Sequence, residues 1–290
     1  MAVQFLQNLN AGIKQRFPDV ILMAEDSSSY PNVTKPVSQG GLGFDYKWDM
    51  GWMNDTLNYF KTPPKDRREK YHSLTFSMMY YYNERYLLPF SHDEVVHGKG
   101  TIIQKMYGEY EEKFSQLRAL YMYMYAHPGK KLNFMGNEIA QFREWDEKRE
   151  QDWEILKYPK HEFFHNFMIA LNQVYQKNSA FWQQDYDREG FQWLDCHQED
   201  KGIYAFERRG GGQRILALFH FSDQNQSGYE LAIPEATKLS LLFSGKEAQN
   251  LEDNTKEIPV RNGKVSFNLP SFSAYYYEII SCVPGKTGIN

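Results

Sequence analysis

Two places along the chain set carboxylates directly after an apolar run. Val20-Ile-Leu-Met-Ala-Glu25-Asp26-Ser27 is one, and Tyr86-Leu-Leu-Pro-Phe-Ser91-His92-Asp93-Glu94 is the other. Where parallel strands alternate with helices, apolar residues within the strands fill the core, and polar residues at the C-terminal ends line the active-site mouth. Other readings stay open: Glu25 as a surface carboxylate opening the polar loop Asp26-Ser27-Ser28-Ser29, and His92-Asp93-Glu94 as an ion-pair cluster. The partner that such carboxylates require is not found, so the pattern reads as half of a catalytic site. His92, Asp93 and His97 are possible metal donors but supply no closed ligand set, and no metal or organic cofactor is expected.

These residues need elements to hold them. Phe5-Leu6, Leu9, Ile13 and Phe17 recur at helical spacing, so the chain opens in an amphipathic helix that Pro18 stops. Strands are expected over Val20–Ala24, Phe44–Trp48, Tyr86–Phe90 and Lys131–Met135, and helices over Trp52–Phe60, Leu117–Ala126 and Glu162–Gln176. A closed eight-stranded barrel takes about 250 residues, and four strands cannot close it, so the outer two are expected to show unpaired edges. From about Ala180 the texture changes. Gly202-Ile-Tyr-Ala-Phe-Glu-Arg208 and Arg214-Ile-Leu-Ala-Leu-Phe-His-Phe221, joined across Gly210-Gly211-Gly212, read as a hairpin. Leu239–Phe243, Val265–Leu269 and Ala274–Ile280 add alternating strands, which makes an all-β domain, a sandwich.

Composition bounds the partners. The chain has 290 residues, 41% hydrophobic and 24% charged, with a formal net charge of -4. That is ample for a sizeable core and offers no basic footprint for nucleic acid. The densest positive run, Lys65-Asp-Arg-Arg-Glu-Lys70, is interleaved with acids and reads as a solvated face. No apolar stretch approaches the roughly 20 residues of a membrane span, and the N-terminus carries no secretory pattern, so a cytoplasmic location is expected. The two cysteines, Cys196 and Cys282, are read as reduced. Aromatics make up 16% of the chain, and flat rings with a polar handle suit sugar faces as well as cores and interfaces.

A specific resemblance sits on longer blocks. Ala24-Glu25-Asp26-Ser27, Gly41-Leu-Gly-Phe-Asp-Tyr-Lys-Trp-Asp-Met-Gly-Trp-Met53, Ser91-His-Asp-Glu-Val-Val-His-Gly-Lys-Gly100 and Phe134-Met-Gly-Asn-Glu138 together resemble the glycogen branching enzymes of the α-amylase superfamily. The likeness continues through Arg143-Glu-Trp145, Asp152-Trp153 and the β region. It implies an α/β plus all-β fold: the C-terminal half of a (β/α)8 TIM barrel, strands five to eight, over 1–179, followed by a β-sandwich domain over 180–290. It implies that Glu25 is the general acid/base, Asp93 the transition-state stabiliser and His92 its sugar-binding neighbour. The substrate would be an α-glucan such as glycogen or amylose, cut with retention and rejoined as an α-1,6 branch.

The departures matter as much. The family's nucleophile is an aspartate in a Gly-Phe-Arg-x-Asp-Ala block, and no such block occurs between Met1 and Asn290; it is expected upstream, with strands one to four. Asp26 stands where a second glutamate is usual, and Gly100 where lysine is frequent. Three readings follow: a C-terminal portion of a branching enzyme that is inactive alone, a glucan-binding protein without chemistry, or one half of a split enzyme that needs an N-terminal half as partner.

Overall fold

A computed structural model describes residues 1–245 and 257–281; Cys282 lies outside them. The chain begins with helix α1 (Ala2–Arg16) and strand β1 (Met23–Ala24), then β2 (Tyr46–Trp48), helices α2 (Met50–Lys61) and α3 (Ser73–Phe76), β3 (Tyr86–Phe90), α4 (Tyr110–Ala126), β4 (Lys130–Asn133) and α5 (Pro159–Lys177). The four strands form one parallel sheet in the order β1-β2-β3-β4, so β1 and β4 are its edges.

The strand expected over Val20–Ala24 shortens to two residues. Local polar bonds compete with the ladder: Lys14 Nζ donates to Val20 O at 2.6 Å, and the Leu22 amide donates to Asp45 Oδ2 at 2.7 Å. Val20, Ile21 and Met23 are left exposed, as is Met135 beyond β4. Among α1 residues only Asn10 is buried, and its side chain donates to Leu42 O at 2.9 Å.

The second region holds β5 (Phe191–Gln198), β6 (Ile203–Gly210), β7 (Gln213–His220), β8 (Gln226–Ala232), β9 (Ala236–Ser244), β10 (Glu257–Pro259), β11 (Lys264–Leu269) and β12 (Ser273–Ser281). A six-stranded antiparallel sheet runs β10-β9-β12-β7-β6-β5, and β11-β8 form a two-stranded sheet. The expected hairpin is present in full register from Ile203↔His220 to Gly210↔Gln213. Gly211 and Gly212, at φ 60° and 77°, make its two-residue turn, a conformation that side chains resist at both positions.

Side chains alternate across a strand, so β6, β7 and β12 serve two cores. Leu216, Leu218, Tyr275 and Tyr277 pack with Tyr229, Leu231, Val265 and Phe267 of the smaller sheet. Tyr204, Phe206, Phe219 and Tyr276 face the other way and join Trp52, Leu88, Phe90 and α4 in the larger core. Helix α4 lies between the parallel sheet and the β region and is buried almost all round from Phe114 to Ala126.

The Lys65–Lys70 run is not wholly a solvated face. Arg67 is buried, donating to Thr62 O, Phe60 O, Phe221 O and Gln116 Oε1 at 2.6–3.0 Å. Its charge is held by carbonyl dipoles and by Tyr59, Phe60 and Phe272 rings, all within 5.6 Å. Among the described residues no helix is long and apolar enough to cross a membrane.

Candidate active site

Glu25 and Asp93 both follow C-terminal ends of parallel strands, on the same side of the sheet. Ala24 pairs with Lys47 and Lys47 with Tyr86, which sets Glu25 level with Trp48 and Leu87. Strand β3 runs on to Phe90 before ending, so Asp93 stands farther along the strand direction than Glu25, with β2 between them.

Glu25 is exposed. The loop behind it is pinned to β2 by Lys47, a nearly buried lysine whose ammonium meets Asp26 Oδ2 at 2.9 Å and Ser28 O at 2.8 Å. Burial would raise the Asp26 carboxyl, but bonds from the Ser28 amide and hydroxyl and from Lys47 hold it below its ordinary value. Asp26 is thereby kept ionised and occupied, and Glu25 is the carboxylate that the loop presents. Glu25 lines a cleft of about 420 Å³ with Met23, Tyr30 and the α1 residues Val3 and Leu6.

After β3, Ser91 caps a single turn, His92–Val95. Glu94 folds back, accepting from the Ser91 amide at 3.0 Å and its hydroxyl at 2.7 Å, so it is buried and structural. This reciprocal cap throws the intervening His92 and Asp93 outward. Asp93 pairs with Lys99 Nζ at 2.8 Å, and chiefly that hydrogen bond, with its charge, holds the carboxyl below the usual range. The His92 ring lies 5.9 Å from Phe134 and 6.3 Å from Trp145. His92, His97, Arg143, Glu144, Trp145 and Arg149 share a second cleft, of about 440 Å³. His92 and Asp93 therefore stand together on one turn, while Glu25 opens on a different cleft.

The loop from Val96 to Lys105 is held by two residues that motif reading did not single out. Glu144 accepts from the Gly98 amide at 2.9 Å and the Gly100 amide at 2.7 Å, and those two bonds lower its carboxyl. Lys105 donates to Glu94 O at 2.5 Å and Gly100 O at 2.6 Å; burial pulls its ammonium down to about 8. Only a spatial fold joins Glu144 to Gly98 across 46 residues, so no local spacing signals it. Asp49, just past β2, caps α2 through Trp52 N at 2.8 Å and accepts from Tyr80 OH at 2.8 Å. Burial pushes its carboxyl up to about 6.

An ionised Asp93 suits charge stabilisation, and an exposed Glu25 suits proton transfer. Retaining cleavage also needs a carboxylate nucleophile about 5–5.5 Å from the acid; of the carboxylates just past β2 and β3, Asp49 is engaged by Trp52 N and Tyr80 OH, and Asp93 by Lys99.

Comparison with known proteins bears on both regions. Residues 193–280 match the α-amylase C-terminal all-beta domain. The chain is 46% identical over 235 residues to the 1,4-alpha-glucan branching enzyme GlgB of Bacillus caldolyticus, covering 80% of this chain and 35% of that enzyme. It is 45% identical over 236 residues to the GlgB of Aquifex aeolicus, covering 81% of this chain and 38% of the relative. The chain thus spans little more than a third of the length of the curated relatives it matches. Solved α-amylases share the fold: an Anoxybacillus α-amylase superposes with a TM-score of 0.64 at 16% identity, over 99% of this chain and 57% of that one. AmyP, solved in complex with maltose, gives a TM-score of 0.70 at 12% identity, over 99% and 63%. The chain is similar to a C-terminal portion of the branching enzymes of the α-amylase superfamily.

Proposed function

We propose that this chain carries the acid/base half of an α-glucan branching site, with residues 1–179 as the C-terminal half of a (β/α)8 barrel and 180–290 as its β-sandwich companion. The observation that carries the reading is 46% identity to a branching enzyme over four-fifths of the chain, with Glu25 and Asp93 at like ends of parallel strands.

In the reaction, a carboxylate attacks the anomeric carbon of an α-1,4-linked glucosyl unit. Glu25, as the carboxylic acid, protonates the departing 4-oxygen. Ionised Asp93 and the His92 ring steady the oxocarbenium-like transition state at the sugar. Glu25, now a carboxylate, takes the proton from a 6-hydroxyl of an acceptor chain. That oxygen displaces the enzyme carboxylate, with net retention and an α-1,6 bond. The attacking carboxylate comes from a chain portion outside these residues, since residues 1–290 contain no Gly-Phe-Arg-x-Asp block. The exposed apolar residues Ile21, Met23 and Met135, at the two edge strands, suit a surface that such a portion covers. A cytoplasmic setting fits glucan storage chemistry and the free thiol of Cys196.

A second reading, glucan binding without transfer, is favoured by one observation: Glu25 and His92 line separate clefts. Incubation with amylose, followed by the iodine spectrum and α-1,6 linkage content, separates the two. The chain alone is expected to give no branches. Mixed with the N-terminal portion of a related branching enzyme it is expected to form them, and Glu25→Gln and Asp93→Asn to abolish them. Branching by the chain alone would mean a nucleophile lies within it; no branching in any mixture would leave binding alone.

A further inference from the structure

We propose that Lys99 is a positioning residue for Asp93: it fixes one oxygen of that carboxylate and leaves the other for the sugar at the reacting centre. Its part in transfer rests on the glucan reading above; the construction that delivers Lys99 to Asp93 rests on its own geometry. Lys99 Nζ donates to Asp93 Oδ2 at 2.8 Å. Among the described residues no group donates to Asp93 Oδ1, so that oxygen stays available to a sugar hydroxyl.

Stability does not account for this pair. The Lys99 and Asp93 side chains are 47% and 46% exposed, and exposed ion pairs add little to folding. Yet the loop over 96–100 is bent against backbone preference to make it. His97 takes φ 59°, a left-handed conformation that costs a residue with a side chain free energy and collects at functional sites. Gly98 and Gly100, on either side of Lys99, take φ 76° and 73°. A Cβ on Gly98 would meet open space, so glycine serves there for its backbone conformation and not for room.

Three fastenings hold that shape. Glu144 takes the Gly98 and Gly100 amides at 2.9 and 2.7 Å, and the Lys99 amide donates to Val96 O at 3.2 Å. Lys105 ties Gly100 O, at 2.6 Å, to Glu94 O, at 2.5 Å. Glu94 in turn caps the turn that carries Asp93. Loop and turn are thus joined behind the ion pair, which sets the two side chains relative to each other. The Lys99 hydrogen bond acts most strongly in holding the Asp93 carboxyl below its usual range, with His92 and His97 adding attraction through their charge. Arg143, Asp146, Glu147 and Arg149 share the cleft of His92 and His97, and a substitution at Lys99 leaves all of them in place. Held in this way, Asp93 stays ionised and meets the oxocarbenium-like centre from a fixed point.

Two measurements test this: NMR titration of the Asp93 carboxyl in the full chain, and branching kinetics of the chain mixed with the N-terminal portion of a related branching enzyme. Lys99→Met keeps the aliphatic stem and removes the charge. It should raise the Asp93 midpoint and lower kcat roughly ten- to hundredfold, with KM for amylose and the melting temperature nearly unchanged. Lys99→Arg keeps a cation and should restore the midpoint and most of kcat. An active mixture in which Lys99→Met retains the wild-type kcat overturns the positioning role, whether or not the midpoint moves, and leaves the glucan reading standing. A loss confined to KM also overturns it and makes Lys99 a sugar contact. No transfer by the wild-type mixture overturns both readings.

Discussion

Tyr71 and Tyr204 stack with ring centroids 4.2 Å apart across the junction of the two regions. Each is tied to the other's segment: Tyr204 OH donates to Tyr71 O at 2.9 Å, and Tyr71 OH to Ile203 O at 2.6 Å. A junction built on reciprocal buried bonds and a shared core couples the β region to the parallel sheet. The β region has a second core of its own with the smaller sheet, but removing the first region would uncover Tyr204, Phe206, Phe219 and Tyr276.

The expected result is one cooperative unfolding transition for the whole chain. Tyr204→Ala should lower its stability by about 3–5 kcal/mol, the usual cost of truncating a buried aromatic. Tyr204→Phe should cost about 1–3 kcal/mol, for the Tyr71 carbonyl left without a donor. Urea unfolding followed by tryptophan fluorescence and by far-UV circular dichroism measures both. Two separate transitions, with Tyr204→Ala shifting only one, would show the regions to be independent.

Asp49 gives a pH dependence of opposite sign to that of most carboxylates. Its folded value is raised from 3.8 to about 6 by burial, so between those values the folded state binds a proton that the unfolded state has released. Stability from this group is therefore present at low pH and is lost as pH rises from about 4 to 6, on the order of 3 kcal/mol in total. Asp49→Asn keeps the oxygen that accepts from Trp52 N and Tyr80 OH but cannot titrate. The advantage of wild type over the variant should be larger at pH 4 than at pH 7 in parallel thermal melts. A constant difference would mean that Asp49 is ionised throughout.

Arg67 shows what sequence patterning conceals. Alternating charges from Lys65 to Lys70 look like a solvated face because nothing local signals that one side chain turns inward. What turns Arg67 inward is a set of carbonyls at Phe60, Thr62 and Phe221 that lack ladder partners. Phe221 is 154 residues away. Arg67→Met keeps the aliphatic length but strands those acceptors at about 1–3 kcal/mol each. Denaturant titration should show a loss above about 3 kcal/mol, whereas Arg68→Met, on an exposed ion pair with Asp200, should change little.

The legible parts of the molecule are those specified by short-range pattern. The β6–β7 hairpin follows from strict alternation and a glycine turn, and α2 and α5 from apolar spacing. Strands β5 and β8 were not legible, because Phe191–Gln198 is mostly half-buried and Gln226–Ala232 carries a glycine and alternates only toward a small sheet. The position of His92 and Asp93 just past β3 is legible because the apolar run Tyr86–Phe90 before them is local. The fastening of the loop behind them depends on tertiary partners and was not.

That loop provides the last prediction. Glu144 holds the Gly98 and Gly100 amides, and between those two glycines lies Lys99, which reaches back to Asp93 at 2.8 Å. The geometry of Asp93 thus depends on a carboxylate far along the chain. Hydrogen bonds from the two amides lower Glu144 below its ordinary 4.5, so the clamp is complete above that value and opens as pH falls through the lowered one. In amide-resolved NMR the Gly98 and Gly100 signals should titrate together, with a midpoint below 4.5. Glu144→Gln replaces one acceptor oxygen with an NH₂ group that faces an N–H donor. It should shift both glycine signals at neutral pH, speed their hydrogen exchange, and raise the Asp93 titration midpoint as Lys99 loosens, with little change in global stability. Unaltered glycine signals in the variant would show that the loop is held by Lys105 and its backbone alone.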